Sequence, residues 1–334
     1  MTGNNGVPGR MWAAWIDDLG PAENIRYGEL PVPTPGPTDV LVKVAVVAVN
    51  PVDIFVRSGA YRTPTPFPFI IGRDLVGTVT ATGPGAAEFA IGEPVWCNSL
   101  GHGGRQGAAA EYAEVPADRL YRLPDGVDPD QAVAVLHPAA TAHLALGVHA
   151  GLLAGETVYI AGGAGNVGSA AIVLANRAGA RVIASARAAD LAYCRSLGAE
   201  IALDYRADDL ARQLHDAAPD GVNVHLDTSG HHDLGLATQM LAPRGRLVLM
   251  SGISAHPELP VGPLYTRDCR IVGFAISNAR VSELADAANR INQLLSVHAL
   301  APRNIEVLPL AAALDAHRRL ESGQVRGTRL VLHP

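Results

Sequence analysis

The sequence predicts an α/β protein in two parts: a mostly β domain and a doubly wound parallel sheet. Three observations lead there. Residues 11–130 contain short β-branched runs, of which DVLVKVAVVAV (39–49) is the clearest, broken at PVPTPGP (31–37), TPTPFP (63–68) and TGPG (82–85). From about residue 129 apolar strands alternate with Ala- and Leu-rich helical stretches, the pattern of parallel pairing. After about residue 277 a helix and a strand–helix–strand unit follow, which complete the first domain. The expected division is therefore 1–128 and 277–334 for the mostly β domain and 129–276 for the doubly wound one.

In order, the central strands are expected at 157–161, 181–185, 201–205, 222–227, 246–250 and 271–275. A helix is expected over 129–151 and another over 282–298. Strands 305–310 and 328–332 flank a helix over 312–323. The chain of 334 residues is long enough for two domains, and 48% hydrophobic against 17% charged residues suits a large core. A net charge of −6 gives no sign of a nucleic-acid or anionic-membrane surface. No apolar run approaches bilayer-spanning length, and residues 1–9 read as a loose tail rather than a signal peptide. Three scattered cysteines fit a reducing cytoplasm and argue against a disulfide framework.

Within YIAGGAGNVGSAAIVLANRAGARVIASAR (159–187), Gly163-Ala164-Gly165-Asn166-Val167-Gly168 satisfies G-x-G-x-x-G between an expected strand and an Ala-rich helix. The first glycine would allow the tight turn, the second the approach of a pyrophosphate and the third close helix–strand packing. The helix N-terminus then offers N–H groups to phosphate. The motif thus points to a dinucleotide. The next strand ends Ala184-Ser185-Ala186-Arg187, without the acid that would hold unphosphorylated ribose. Arg187 with Ser185 suits a 2′-phosphate and favours NADPH, although Arg187 also reads as a solvated surface residue. The turns Thr228-Ser229-Gly230 and Ser251-Gly252-Ile253 fall at the carboxyl edge of the sheet, where ligands bind in open α/β folds.

Four segments together resemble the medium-chain dehydrogenase/reductase superfamily, in its zinc-free NADPH:quinone oxidoreductase branch. They are VNPVDIFVRSGAY (49–61), IGRDLVGTV (71–79), TAHLAL (141–146) and the glycine loop. The resemblance implies a GroES-like catalytic domain interrupted by a Rossmann domain. It also implies roles for single residues. Asn50 resembles the active-site Asn beside the nicotinamide, and Asp53 either positions that loop or is structural. Thr141 resembles a Thr on the carboxamide, and Tyr205 a Tyr near the adenine or its phosphate. Phe274 would lie near the nicotinamide. Arg329 stands where many relatives carry Lys. Tyr61 would either hydrogen-bond a substrate carbonyl or cap a loop.

The departures from the zinc-dependent branch matter as much. Asn50 stands where those enzymes carry Cys, Arg73-Asp74 where they carry His-Glu, and Cys97 is the lone cysteine in the region of their structural zinc. Two of the roughly three ligands a catalytic zinc needs are thus replaced, so no metal is expected. An isolated Cys97 reads as a small core residue. His137, His143, His149, His231 and His232 read as core or surface residues rather than catalysts. Without a Lewis acid the chemistry expected is hydride transfer from NADPH to a quinone or related electron-poor carbonyl. Reduction of an enal, enone or thioester C=C bond is the alternative. A non-catalytic NADPH-binding sensor or structural protein is the alternative of another class. The resemblance also implies a homodimer, with 270–275 as a plausible pairing edge.

Overall fold

The computed structural model describes residues 7–334. The expected tail at residues 1–9 lies outside the described residues for its first six. From there on it is not loose: Val7 packs on the core, and the Gly9 carbonyl accepts from the Val32 N–H at 3.3 Å.

The chain forms two compact units, one of Met1–His137 with Leu284–Pro334 and one of Pro138–Glu283. These limits fall later than the 128 and 276 drawn from the sequence. The chain begins with β1 (Arg10–Ile16), β2 (Arg26–Pro31), β3 (Asp39–Ala48), helix α1 (Pro51–Ser58), β4 (Phe69–Ile70), β5 (Asp74–Thr82), β6 (Pro94–Cys97), β7 (Tyr112–Pro116) and β8 (Tyr121–Arg122). Helix α2 (Pro129–His143) then leads into a π-helical segment, Leu144–His149. The whole helical run Pro129–His149 is 21 residues long and apolar enough to cross a bilayer. That amends the expectation from composition that no run approaches this length. Of its most apolar window 78% is buried inside the protein, as in a core helix.

The second unit follows with β9 (Thr157–Ala161), α3 (Asn166–Arg177), β10 (Arg181–Ala186), α4 (Leu191–Ser196), β11 (Ile201–Asp204), α5 (Leu210–Ala217), β12 (Val222–Asp227), α6 (Leu234–Met240), β13 (Leu241–Leu249), α7 (Val261–Tyr265) and β14 (Arg270–Gly273). Its sheet runs β11-β10-β9-β12-β13-β14, parallel throughout. The order reverses between β9 and β12, which opens a crevice at their carboxyl ends. Tyr159, Ile183, Val222 and Leu247 of the sheet pack with Leu214 of α5 and Leu234 of α6.

The chain then returns to the first unit with α8 (Val281–Ser296), β15 (Ile305–Pro309), α9 (Ala313–Glu321) and β16 (Arg329–His333). There β16 enters a seven-stranded sheet, β15-β16-β3-β5-β6-β8 with β7 also on β3, beside a three-stranded sheet β2-β1-β4. Ile16 and Phe69 of the small sheet share a core with Val42, Leu75, Val95 and Leu332 of the large one.

The second unit is tied by Arg246 on β13. Its guanidinium donates to Glu156 Oε1 and Oε2 at 2.8 and 2.7 Å, and to the carbonyls of Ala150, Gly151 and Asn223 at 2.8–3.2 Å. The guanidinium holds the Glu156 carboxyl below the usual range. Lysine carries the charge but not the planar fork. Arg246→Lys will destabilise this unit by about 1–2 kcal/mol as hydrogen bonds of the fork are lost, read as faster hydrogen exchange in β9 and β13. The pair's contribution is present above the unfolded Glu pKa of about 4.3 and is lost as pH falls through the lower folded value. Unchanged exchange would show that the fork is dispensable.

Candidate active site

Strand register builds the first part of the site. Ala48, the last residue of β3, pairs with Asp74 on one side and Val331 on the other. The Val49 N–H donates to the Leu330 carbonyl at 3.1 Å. Asn50, Asp74 and Arg329 are thereby brought to one buried point from three distant stretches of chain. Asn50 is the N-cap of α1, with Pro51 at the first helical position, Asp53 at the third and Gly59 closing the helix at φ 80°.

The Asn50 amide is held at both ends. Its Nδ2 donates to Asp74 Oδ2 at 3.0 Å, and its Oδ1 accepts from Arg329 Nη2 at 2.8 Å. Its backbone N–H donates to Asp53 Oδ2 at 2.8 Å. Asn50, Asp53, Arg73, Asp74 and Arg329 are all at most 4% exposed. Burial pushes the Asp53 carboxyl up to about 6 even though Asn50, Arg73 and Arg329 oppose it. Asp74 is raised well above the usual range, by burial first and then by the charge on Asp53. His137 on α2 lies with Nδ1 3.7 Å from Asp74 Oδ1. Burial and then Arg73 and Arg329 push it down to about 3, so it is a neutral imidazole. Asp74 is thus biased toward its protonated form, beside a neutral ring and a fixed amide.

Tyr61 follows α1, its N–H donating to the Phe55 carbonyl at 2.9 Å. Its ring is stacked on His102 at 5.7 Å. Its hydroxyl lies within electrostatic reach of Arg73, which places it near the same cluster.

The second unit carries the glycine loop. β9 stops at Ala161, and the left-handed residue that turns the chain is Gly162 (φ 81°), one residue before the glycine assigned that role from the motif. Gly163 serves packing instead, since a Cβ there would lie 2.9 Å from Ala184 Cβ. At Gly168 a Cβ would lie 2.2 Å from the Gly162 carbonyl oxygen, so the third glycine does let helix and turn touch. Gly165 caps α3, and a Cβ there would meet only the Gly162 oxygen, at 3.2 Å. A side chain would fill that open space at the helix N-terminus; Ala164, Asn166 and Val167 flank it.

The crevice edge is built by Asp227 at the end of β12. Its carboxylate accepts from the Ser229 N–H and Oγ at 2.9 and 2.7 Å and pairs with His232 Nδ1 at 2.8 Å. His232 Nε2 lies 3.3 Å from the Ser251 carbonyl, and Thr228 Oγ1 donates to the Ala161 carbonyl at 2.7 Å. Ser229, Gly230, Ser251 and Gly252 are therefore brought together beside the glycine loop. His232, which its place after the fourth strand set at the cofactor cleft or in a core or surface role, helps join the two turns.

At the end of β10, Arg187 pairs with Asp190 at 2.7 Å while about a third of its side chain stays exposed. Tyr205 and Arg206 follow the neighbouring β11, the Arg206 guanidinium 5.6 Å from the exposed Tyr205 ring. Ser185 does not join them. It is 2% exposed and its Oγ accepts from the Tyr159 hydroxyl at 2.8 Å, because its place in β10 turns it into the sheet layer. Arg329 is likewise no surface cation for a cofactor but a buried partner of Asn50. Phe274 stacks on His149 at 4.3 Å, and Thr141 is buried on α2.

Residues 166–292 match the zinc-binding dehydrogenase family, and residues 36–125 the alcohol dehydrogenase GroES-like domain. Prostaglandin reductase-3 of Bos taurus is 32% identical over 262 residues, 77% of this chain and 67% of that protein. The chain belongs to the medium-chain dehydrogenase/reductase superfamily. Within it the chain falls in the quinone oxidoreductase branch. The human quinone oxidoreductase is 25% identical over 96% of this chain and 97% of its own. A mycobacterial protein solved in complex with NADPH superposes with a TM-score of 0.84 at 29% identity, over 97% of this chain and all of that one.

The superfamily implies two groups, and the residues treat them differently. A pyridine nucleotide fits: the open space at Gly165, the α3 N-terminus and the Asp227-braced turns form a phosphate cradle. Zinc does not fit the donor set. Among the described residues no group of three or more His, Cys, Asp or Glu side chains is arranged to hold a metal ion. At the Asn50 centre Asp53 and Asp74 already face two guanidiniums, and Cys97 is a core thiol raised by burial.

Sequence reasoning passed over His137, Gly162 and Arg206. The Gly-Gly doublet at the strand end was the available signal for Gly162; His137 meets Asp74 only through the fold. Asp53 offers a direct check. With its carboxyl raised to about 6, its contribution to stability is complete below the unfolded value of about 3.9 and is lost as pH rises through about 6. Unfolding titrations of wild type will show that decline, and Asp53→Asn, which cannot ionise, will lack it. Parallel profiles would mean that Asp53 ionises normally.

Proposed function

We propose that the protein is a zinc-independent, NADPH-dependent reductase of quinones or related electron-poor carbonyl acceptors. The observation that carries the reading is the Asn50 centre, where Asn50 is fixed between Asp74 and Arg329 with no donor set for a metal. Such a centre orients and hydrogen-bonds but offers no Lewis acid, so it suits an acceptor that is already electrophilic. The bound reduced nicotinamide supplies hydride.

The chain's own residues divide the remaining work. Gly165, Asn166 and the α3 N-terminus hold the pyrophosphate, and Gly230, Ser251 and Gly252 edge the crevice. Arg187 and Arg206, at the ends of adjacent strands, receive the 2′-phosphate. Asn50 keeps its geometry through Asp74, Arg329 and Asp53. Tyr61, next to the cluster, donates a hydrogen bond or proton to the acceptor oxygen. Thr141 and Phe274 contribute to the nicotinamide side. We also read the protein as a homodimer pairing through β14, the outermost strand of its sheet, in a reducing cytoplasm suited to free Cys97, Cys194 and Cys269.

A second reading, reduction of a conjugated C=C bond, draws support from the likeness to prostaglandin reductase-3. Nicotinamide absorbance read with each cofactor against an ortho-quinone, a para-quinone, an alkenal and an enoyl thioester separates the two. We expect the quinones to be reduced fastest, with NADPH preferred over NADH. The preference should fall about tenfold in Arg187→Gln, the effect of removing one charge-assisted phosphate contact. Fastest turnover of the alkenal or thioester would favour the second reading. NADPH binding without turnover of any acceptor would favour a non-catalytic protein.

A further inference from the structure

The segment NSLGHGGRQG (98–107) lies between β6 and β7 and has no part in the clamp on Asn50. It is stitched to residues 61–70 at several points. The Gly103 N–H donates to Thr63 Oγ1 at 2.8 Å and the Gly104 N–H to the Pro64 carbonyl at 3.1 Å. Gln106 Nε2 donates to the Pro66 and Pro68 carbonyls at 3.2 and 3.0 Å, while its Oε1 accepts from the Ile70 N–H at 2.7 Å. The loop closes on itself through Gly101 N–H to the Gln106 carbonyl at 3.0 Å. These bonds pre-set the loop and hold the His102 ring stacked on Tyr61.

The charges that act on His102 are all positive. Burial, then Arg73, Arg105 and Arg119, push His102 down to about 4, and no carboxylate acts on it. The half-buried Arg105 donates through Nε and Nη2 to the neutral Ser99 carbonyl at 3.3 and 3.1 Å. Among the described residues it has no ion-pair partner, and Asp118, the carboxylate acting on it, acts least. A half-buried guanidinium facing only neutral acceptors is costly until an anion meets it. Tyr61, placed at the acceptor in the proposed function, is joined to this loop by the stack of its ring on His102, the residue whose carbonyl accepts from the Arg105 N–H at 3.3 Å.

We propose that Arg105 and His102 form an oxyanion subsite beside Tyr61 that selects acceptors bearing a carboxylate or sulfonate on a planar conjugated ring. Arg105 supplies the charge. The neutral His102 supplies an N–H donor and, with Tyr61, an aromatic surface for the ring. The role in turnover rests on the proposed function; the binding of a ring oxyanion does not.

The test pairs an ortho-naphthoquinone with its ring sulfonate in wild type, Arg105→Gln and Arg105→Lys. The readout is the ratio of kcat/KM for the sulfonated over the neutral quinone. Binding of redox-inert naphthalenesulfonate against naphthol is followed in parallel by fluorescence. The ratio should exceed one in wild type, fall about tenfold in Arg105→Gln as a charged hydrogen bond is lost, and be largely kept in Arg105→Lys. Naphthalenesulfonate affinity should follow the same order. An unchanged ratio and affinity in Arg105→Gln would overturn the proposal. So would equal losses in Arg105→Lys, which would make Arg105 a loop support. If neither quinone turns over while naphthalenesulfonate binding still depends on Arg105, the subsite stands and the acceptor class fails.

Discussion

The two-ended clamp on the Asn50 amide is the constraint from which the rest of the first unit follows. It joins residues 24 and 279 positions apart in sequence. It exists only because β16 returns from the far end of the chain to lie against β3. The cost of burying two carboxyls and two guanidiniums is large, and the hydrogen bonds to Asn50 with the attraction of opposite charges nearby offset part of it. Raised carboxyls at Asp53 and Asp74 and a lowered imidazole at His137 have a common origin: burial penalises every charge there, and the two arginines push the imidazole further. Moving one member would leave the others buried without partners. Packing and polar chemistry are therefore the same problem at this point in the fold.

The second unit solves a different problem with backbone rather than side chains. Its glycines let a turn, a helix and a strand approach more closely than any Cβ allows, and Asp227 braces the neighbouring turns through Ser229 and His232. The result is a set of N–H groups and small residues at a helix N-terminus. In the proposed function, cofactor preference falls to the cations Arg187 and Arg206 at the ends of two adjacent strands. Asp190 partly offsets the first of these.

Much of the architecture was legible because it is local. Strands 157–161 and 222–227 were read to the residue, since apolar runs bounded by glycine and polar turns carry their own signal. The glycine motif was visible for the same reason. What was not legible depends on direction and on distance. Ser185 sits at the right sequence position for a phosphate, yet alternation along β10 aims it at Tyr159. Arg329 reads as a cation near the C-terminus until β16 delivers it beneath Asn50. His137 reads as one of three helical histidines, and only the tertiary fold brings it within 3.7 Å of Asp74. The loop 98–107 was legible as glycine-rich, but its stacking on Tyr61 was not.

The central claim is that this site works by orientation and hydrogen bonding where related enzymes use a metal. Metal content of the purified active protein, measured together with NADPH oxidation before and after chelation, tests it most directly. The account predicts well under one zinc per chain and a rate that the chelator leaves unchanged. One zinc per chain, with activity lost on chelation and restored by zinc alone, would contradict it.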